Sequence, residues 1–513
     1  MAAAAALGYF MFYGNVSNIY ISIITLAFSL LLYSLLNSTS DPKYKILGVP
    51  LGGYNGVVGI PQFHLSFVNG GLSLAPRYFL FVCVVVVVAL GCVVAAVMRS
   101  PYGTLVRAVG SNELRATLLG YDVRLVKLSV FVIGGGIAGM AGGLFAAWAR
   151  FVSPTVFMLG PAASVLIWVL VGGRTAIVGA FVGTFAVQAA SSKLSSFNAE
   201  DAPIMLGLIM LLAVLLLPNG LVPRIAGLLD RVSLWRRLKV LVQPEWPVGE
   251  DDPSEQRLPR ALRRERGQVA ADGSPALAAE SLVKTFGGLR AVGGVSLNFT
   301  KTGVHCLIGP NGAGKSTFFA LLSGRERPAE GTVHFGDRDV TRLKTHFRAR
   351  LGMGVKPQIP AVFPNLTAFE NLFLACYATD RHKQSATQEA RTFIRWLGFD
   401  GVANKPVGEL SHGMQQRLEI AMVMSAEPAV ILLDEPTAGM THSETEEIAK
   451  LVRQMGEVAS VVVVEHDMDF VRYVDAPVTV FHLGEVYISG SLAEIEQNDG
   501  VLDMYLGRGH VRG

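Results

Sequence analysis

The sequence predicts an all-α membrane-spanning half followed by an α/β half of the P-loop type. Three observations carry this prediction. The chain of 513 residues is 51% apolar and only 16% charged, against about 25% charged in an ordinary soluble domain; its mean hydropathy is +0.43. The apolarity is concentrated. From Met1 to Met98 the only ionisable Asp, Glu, Lys or Arg residues are Asp41, Lys43, Lys45 and Arg77, whereas charge is frequent beyond Arg224. Finally, the apolar run 304–308 leads into Gly309-Pro310-Asn311-Gly312-Ala313-Gly314-Lys315-Ser316-Thr317.

A helix needs about 20 apolar residues to cross a bilayer core about 30 Å thick. Asn18–Asn37, Tyr78–Met98 and 128–149 have that length. The stretches 161–173 and 176–190 form a pair broken at Gly172-Gly173-Arg174, and 203–217 is short but highly apolar. Six spans are therefore expected. Lys and Arg in short loops mark the cytoplasmic side. Arg99, Arg107, Arg115, Arg124 and Lys127 put 99–127 inside, and Arg224, Arg231, Arg236, Arg237 and Lys239 put the C-terminal half inside. Tyr9–Tyr13 reads as the tail of a further span, and the basic-free start does not resemble a cleaved signal peptide.

Gly135, Gly139 and Gly143 recur every four residues. Small residues on one face let helix backbones approach closely in lipid, so packing is their expected role. Gly52 to Pro61 is too glycine-rich for a regular span. It reads either as irregular backbone lining a path or as a plain outside loop. Residues 243–275, rich in Pro, charge and the basic run 260–266, read as a linker, with the basic residues near anionic headgroups. The four cysteines form no CxxC or Cys/His cluster, which fits reduced thiols better than a metal or disulfide framework. The net charge, 44 − 40 = +4, is too mild for a nucleic-acid partner.

The strand–loop–helix context at Gly309–Thr317 fits a phosphate-binding loop. Backbone N–H groups and a helix start surround phosphate oxygens. Lys315 reaches the β- and γ-phosphates, and the Ser316 hydroxyl ligates Mg²⁺. A second apolar strand, 430–433, ends at Asp434-Glu435. Asp434 suits Mg²⁺ or its water, and Glu435 is placed to polarise an attacking water. A third, Ser460–Val464, ends at Glu465-His466-Asp467, where His466 reaches toward the γ-phosphate. Ser411, His412 and Gly413 open another helix and make a second anion-binding helix start. One ligand does not need both starts from one domain, which implies that two such domains face each other.

With these residues in view, 277–507 resembles the ATP-binding subunit of ABC transporters. Its ordered set is the P-loop, a Q-loop at Gln358, a signature at Leu410–Met414, a Walker B strand ending at Glu435 and a switch histidine at His466. The resemblance implies that Phe286 stacks on adenine. It also implies that Gln358 bridges Mg²⁺ and the membrane subunit, and that Ser411 and Gly413 bind ATP held by the opposing domain. The signature departs from the usual Leu-Ser-Gly-Gly-Gln at His412 and Met414, and Ala438–Thr441 lacks the usual acidic residue. The membrane half is similar to the permease of the branched-chain amino acid and urea importers, with the family's first spans not evident. Trp168–Arg174, Leu410–Gly413 and Ala438–Thr441 lean toward the urea and amide branch.

The fold class expected is thus an all-α transmembrane helical permease domain followed by an α/β P-loop NTPase (ABC ATPase) domain, divided as 1–223, a linker 224–275, and 276–513. The family implies a second permease and a second ATP-binding subunit, or a self-dimer, with an extracytoplasmic solute-binding protein, in the plasma (cell inner) membrane bilayer. The stretch 113–119 lies where the family contacts the ATPase near Gln358. An exporter or flippase, against which the short loops argue, and a membrane-tethered nucleotide switch stay open as alternatives.

Overall fold

The computed structural model describes residues 1–14, 16–41, 43–46, 49–60, 64–65, 72–73, 76–173, 177–197, 258–262 and 275–501, with a few more between 207 and 224. The chain divides into two compact units. One comprises Met1–Ser100 with Arg124–Glu245, and the other Pro101–Val123 with Trp246–Gly513.

The first unit is helical: α1 (Ala2–Tyr13), α2 (Asn18–Asn37), α3 (Pro76–Met98), α6 (Val123–Ala149), α7 (Leu159–Gly172) and α8 (Ile177–Phe197). Among the described residues, three helices are long and apolar enough to cross a membrane: Ile19–Asn37, Tyr78–Met98 and Val123–Ala149. Their outward faces carry exposed Leu30, Leu31, Phe81, Val84 and Val88. Such surface is stable against lipid tails, and a helix satisfies its own backbone there. The expected span at 203–217 falls mostly outside the described residues.

The glycine stripe of α6 packs at its N-terminal end only, among the described residues. A Cβ at Gly135 would press on Ala4 of α1 and one at Gly136 on Met1, while Gly139, Gly142 and Gly143 have nothing within 4 Å. Tyr9–Tyr13 belongs to α1, and Phe12 meets Phe131 of α6 edge-on at 6.0 Å. Helices α7 and α8 pack backbone to backbone, which the sequence does not announce. A Cβ on Gly183 would collide with the Trp168 carbonyl, and one on Gly172 with the Gly179 carbonyl. The segment from Gly52 contains a 3₁₀ turn, Gly53–Asn55. It then pairs antiparallel with the residues after α6, Val57 with Val152 and Val58 with Phe151.

Among the described residues the second unit holds two sheets. The antiparallel one uses β1 (Leu277–Phe286), β2 (Leu289–Phe299), β4 (Glu330–Phe335) and β5 (Arg338–Asp339), in the order β5-β4-β1-β2. The other uses β3 (Gly303–Ile308), β6 (Met353–Lys356), β7 (Val430–Asp434), β8 (Ser460–Val464), β9 (Val478–His482) and β10 (Glu485–Gly490), ordered β6-β7-β8-β3-β9-β10. Its strands are parallel except for the edge strand β10. Strands β7 and β8 are buried at every position, as expected of a parallel sheet covered on both faces. Helices α9 (Lys315–Ser323), α10 (Thr345–Arg350), α14 (His442–Gly456), α15 (Met468–Val474) and α16 (Leu492–Glu496) belong to this part. Helices α11 (Ala368–Thr379), α12 (Lys383–Leu397) and α13 (His412–Met424) form a helical lobe with buried Phe369, Phe373 and Phe393.

Helices α11, α14 and α16 each begin with a capping box: Thr367 with Glu370, Thr441 with Glu444, Ser491 with Glu494. Each box satisfies two N–H groups that a helix start leaves unpaired. All four cysteines are free, and Cys306 and Cys376 are buried. Burial pushes the Cys306 thiol up to about 12, so it stays protonated and inert at neutral pH.

Two segments outside 276–513 join this unit. Within the expected linker, Ala261 is buried, and Arg260 donates from its backbone to Glu389 (2.7 Å) and from its side chain to Ser385 (3.1 Å). Arg260 also lies 3.7 Å from Asp380. Its guanidinium therefore faces carboxylates; the rest of the basic run, 263–266, lies outside the described residues. The basic stretch between α3 and α6 is not an open loop. It folds as α4 (Pro101–Ser111) and α5 (Glu113–Leu118), against β6, α11 and α13. Arg107 pairs with Glu370 at 2.6 Å, Asn112 donates to the Val362 carbonyl at 3.2 Å, and the Tyr121 hydroxyl donates to the Leu374 carbonyl at 2.8 Å.

Candidate active site

The parallel sheet brings the site together. Strands β7, β8 and β3 are neighbours, with Asp434 opposite Val464 and Val464 opposite Leu307. The residues following these strands, Glu435, Glu465 and Gly309, therefore emerge side by side at the carboxyl edge. Crevices there are where open α/β sheets bind ligands.

The loop 309–314 turns on glycine. Gly309 has φ 146° and Gly314 φ 96°, values that L side chains rarely adopt. A Cβ on Gly309 would collide with the Phe481 carbonyl and one on Gly314 with the Ala291 carbonyl. Helix α9 starts directly at Lys315, so its unpaired N–H groups and positive end face the loop. Lys315 folds back, donating to the carbonyls of Gly309 (2.5 Å) and Pro310 (3.0 Å). Desolvation lowers the pKa of its ammonium, opposed by the charges of Glu435 and Asp434. Pro310, Asn311, Gly312 and Ala313 complete the turn, and Ala313 is held by a bond from Gly484 N–H at 3.0 Å. Ser316 and Thr317 occupy the first turn of α9.

Opposite lies a carboxylate cluster. Asp434 is buried, and its Oδ1 has no hydrogen-bond partner among the described residues. Burial, then the neighbouring Glu435 charge, raises its pKa to about 6. A buried, unpaired carboxylate oxygen beside a phosphate loop suits a hard cation with oxygen ligands. Glu435 has φ 45°, a left-handed backbone rare for a non-glycine residue. Its Oε2 accepts from Gln358 Nε2 at 3.0 Å, and its Oε1 lies 3.7 Å from His466 Nδ1. A carboxylate held between an amide donor and an imidazole can take a proton from a water molecule.

Gln358, Asp434, Glu435 and His466 thus lie together at this edge. Phe286 stands apart, half exposed near the β1–β2 turn, with the Lys284 ammonium 5.0 Å from its ring centre. Ser411 caps α13 by accepting from Met414 N–H at 3.4 Å. His412 Nε2 lies 3.2 Å from the Ala438 carbonyl, and a Cβ on Gly413 would meet Glu444. Among the described residues, these signature contacts run to 414–416 and 438–444, none to 309–317.

Three buried ionisable groups behind the site escape a reading by motif. Glu465 accepts from Thr437 Oγ1 at 2.6 Å and from His466 N–H at 3.0 Å, tying the β7 and β8 turns together. Lys356 is fully buried beneath the carbonyls of Asp434 and Glu435. Glu419 is fully buried in α13. A charged residue inside an apolar run was the only signal in the sequence for Lys356 and Glu419.

The domain that carries these residues is a P-loop ATPase of the transporter-cassette class. A family model described as "ABC transporter" matches residues 292–438. One described as "Branched-chain amino acid transport system / permease component" matches residues 1–217. The high-affinity branched-chain amino acid transport ATP-binding protein LivG of Salmonella typhimurium is 34% identical over 250 residues, 45% of this chain and 98% of that one. BraF of Pseudomonas aeruginosa, with the same description, is 33% identical over the same shares. The lipopolysaccharide export system ATP-binding protein LptB of Acidithiobacillus ferridurans is 32% identical over 46% of this chain and 98% of that one. A crystal structure of a nucleotide-free ATP-binding cassette from an ABC transporter aligns with 25% identity and TM-score 0.41, covering 45% of this chain and 98% of that chain.

The chain belongs to the ABC transporter family. It is a membrane protein and an ATPase, carrying a permease domain of the branched-chain amino acid type and the ATP-binding domain in one polypeptide.

Proposed function

We propose that the chain is the permease and motor of an importer that moves a small polar solute, a branched-chain amino acid, urea or a short amide, into the cell. The observation that carries this reading is the union of a branched-chain amino acid permease match over 1–217 with a cassette similar to LivG and BraF. The proposed layout is a multi-pass permease over 1–223, a linker over 224–275 and the ATP-binding domain over 276–513, in the cell inner membrane with the ATPase cytoplasmic. The segment 101–123 lies within the permease sequence and joins the ATPase fold.

In this reading residues 309–317 wrap the ATP phosphates, Lys315 pairs with the β- and γ-oxygens, and Phe286 stacks on adenine. Ser316, Gln358 and Asp434 would hold Mg²⁺, which supplies charge neutralisation on the phosphates. Glu435 takes a proton from the attacking water while Gln358 and His466 orient it. Ser411, His412 and Gly413 serve ATP bound by a second cassette, from another subunit or a second copy of this chain. An external binding protein delivers the solute. ATP-driven closure of the two cassettes is passed to the membrane through α4 and α5.

The test is reconstitution in lipid vesicles with the companion subunits and binding protein. ATP-dependent uptake of labelled leucine or urea, abolished by Glu435→Gln, is expected. Efflux, or ATP hydrolysis with no solute movement, overturns the reading.

A further inference from the structure

One side chain of the basic segment goes much deeper than a docking contact requires. Arg115, on α5, has 0% exposure. Its guanidinium donates to the Val355 carbonyl at 3.4 Å and to the Glu419 carbonyl at 3.3 Å, and sits 3.7 Å from Glu419 Oε1. That same Oε1 accepts the backbone N–H of Ala361 at 3.0 Å. Val355 and Ala361 lie three residues before and three after Gln358, whose amide donates to Glu435. Both ends of the Gln358 segment are therefore fastened to one buried ion pair, half of which comes from the sequence between α3 and α6.

The charges make this arrangement specific. Glu419 is fully buried; burial pushes its carboxyl pKa up, and the charges of Arg115 and Lys356 oppose that shift. Lys356 lies within hydrogen-bonding reach of the Asp434 and Glu435 carbonyls. A planar guanidinium can bind two acceptors at fixed spacing, which a single ammonium cannot. Removing it would leave a buried carboxylate underpaired and the Val355 carbonyl without that donor.

We propose that Arg115 is a positioning residue of the ATPase reaction: together with Glu419 it fixes both ends of the 355–361 segment and so sets Gln358 against Glu435. This rests on the assignment of Gln358 and Glu435 to the ATP site made above. Arg115 acts on the hydrolytic step and not on nucleotide affinity, because its partners flank the Gln358 segment and not the 309–317 loop.

The full-length protein with its companion subunits provides the test, through steady-state ATPase kinetics and binding of a fluorescent ATP analogue. Arg115→Met is expected to lower kcat about tenfold or more, with KM and analogue affinity within about threefold. Arg115→Lys should recover part of the loss. Tyr121→Phe loosens the same segment at the Leu374 carbonyl, away from Gln358, and should leave kcat near wild type. Glu419→Gln keeps the side chain's shape and an acceptor for Ala361, and should reproduce a smaller fall in kcat if Arg115→Met does not fold. Wild-type kcat in Arg115→Met, or in Glu419→Gln where the former does not fold, overturns the proposal. So does an equal loss in Tyr121→Phe, or a loss confined to KM. Glu435→Gln separates the two levels. If it hydrolyses ATP normally, the site assignment itself fails; if it is inactive, the Arg115 result bears on this proposal alone.

Discussion

Glu435 sits at the end of a buried strand with a strained backbone, and two neighbours aim at its carboxylate. Replacing that carboxylate by an amide removes the proposed base while keeping the shape. Glu435→Gln should lower ATPase turnover by about 10²- to 10³-fold with ATP affinity retained, measured by phosphate release beside equilibrium binding. Asp434 gives a pH prediction. Its pKa is raised in the folded state to about 6 from 3.8, so between these values the folded protein holds more protons than the unfolded chain. Stability from this group therefore falls as pH rises from about 4 to about 6, and the full penalty, about 2 to 3 kcal/mol, applies at pH 7. Without nucleotide, Asp434→Asn should raise the melting temperature at pH 7.5 and about half as much at pH 5. These residues were legible in the sequence because a carboxylate ending an apolar strand, downstream of a phosphate loop, points to metal and water chemistry. Lys356 and Glu465 were less so: their meaning depends on which strands lie side by side.

At the scale of elements, the spans show both success and limits of apolar length. The helices α2, α3 and α6 follow from uninterrupted apolar runs. The extension of α6 back to Val123 carries Arg124 and Lys127 into the helix, beyond what an apolar run can mark. The tight α7–α8 hairpin follows from Gly172, Gly179 and Gly183, of which only Gly172 figures in the sequence reading, as part of a break. Gly183→Leu should force those backbones apart and destabilise the hairpin by about 1 to 3 kcal/mol, seen as loss of folded protein in membranes. Gly139→Ala, with nothing within 4 Å of its Cβ, should be tolerated in the same assay. The glycine stripe of α6 thus divides: its N-terminal part receives α1, while Gly139, Gly142 and Gly143 meet no described neighbour.

For the molecule as a whole, the relation between α5 and the ATPase is testable in native membranes. Asn112 lies against Val362, so Asn112→Cys with Val362→Cys should cross-link with a short thiol reagent, scored by altered migration after proteolysis between the two sites. The yield should change when ATP is trapped by Glu435→Gln if this contact moves during the cycle. The family resemblance implied that 113–119 lies near Gln358 but not its depth. Nothing local distinguishes Arg115 from Arg107 or Arg124; the buried Glu419 that receives it lies far along the chain.

The depth of Arg115 carries a consequence for how the polypeptide is assembled. The gene does not place two finished modules end to end, because a piece of the second is encoded inside the first. During synthesis residues 101–123 emerge well before the fold they complete, and must stay available until α13 is made. A catalytic fragment starting at residue 276 should accordingly be incomplete, weaker by about 3 kcal/mol where Glu419 loses its guanidinium. Adding a synthetic peptide of residues 101–123 should raise that fragment's melting temperature, and the same peptide carrying Arg115→Met should not.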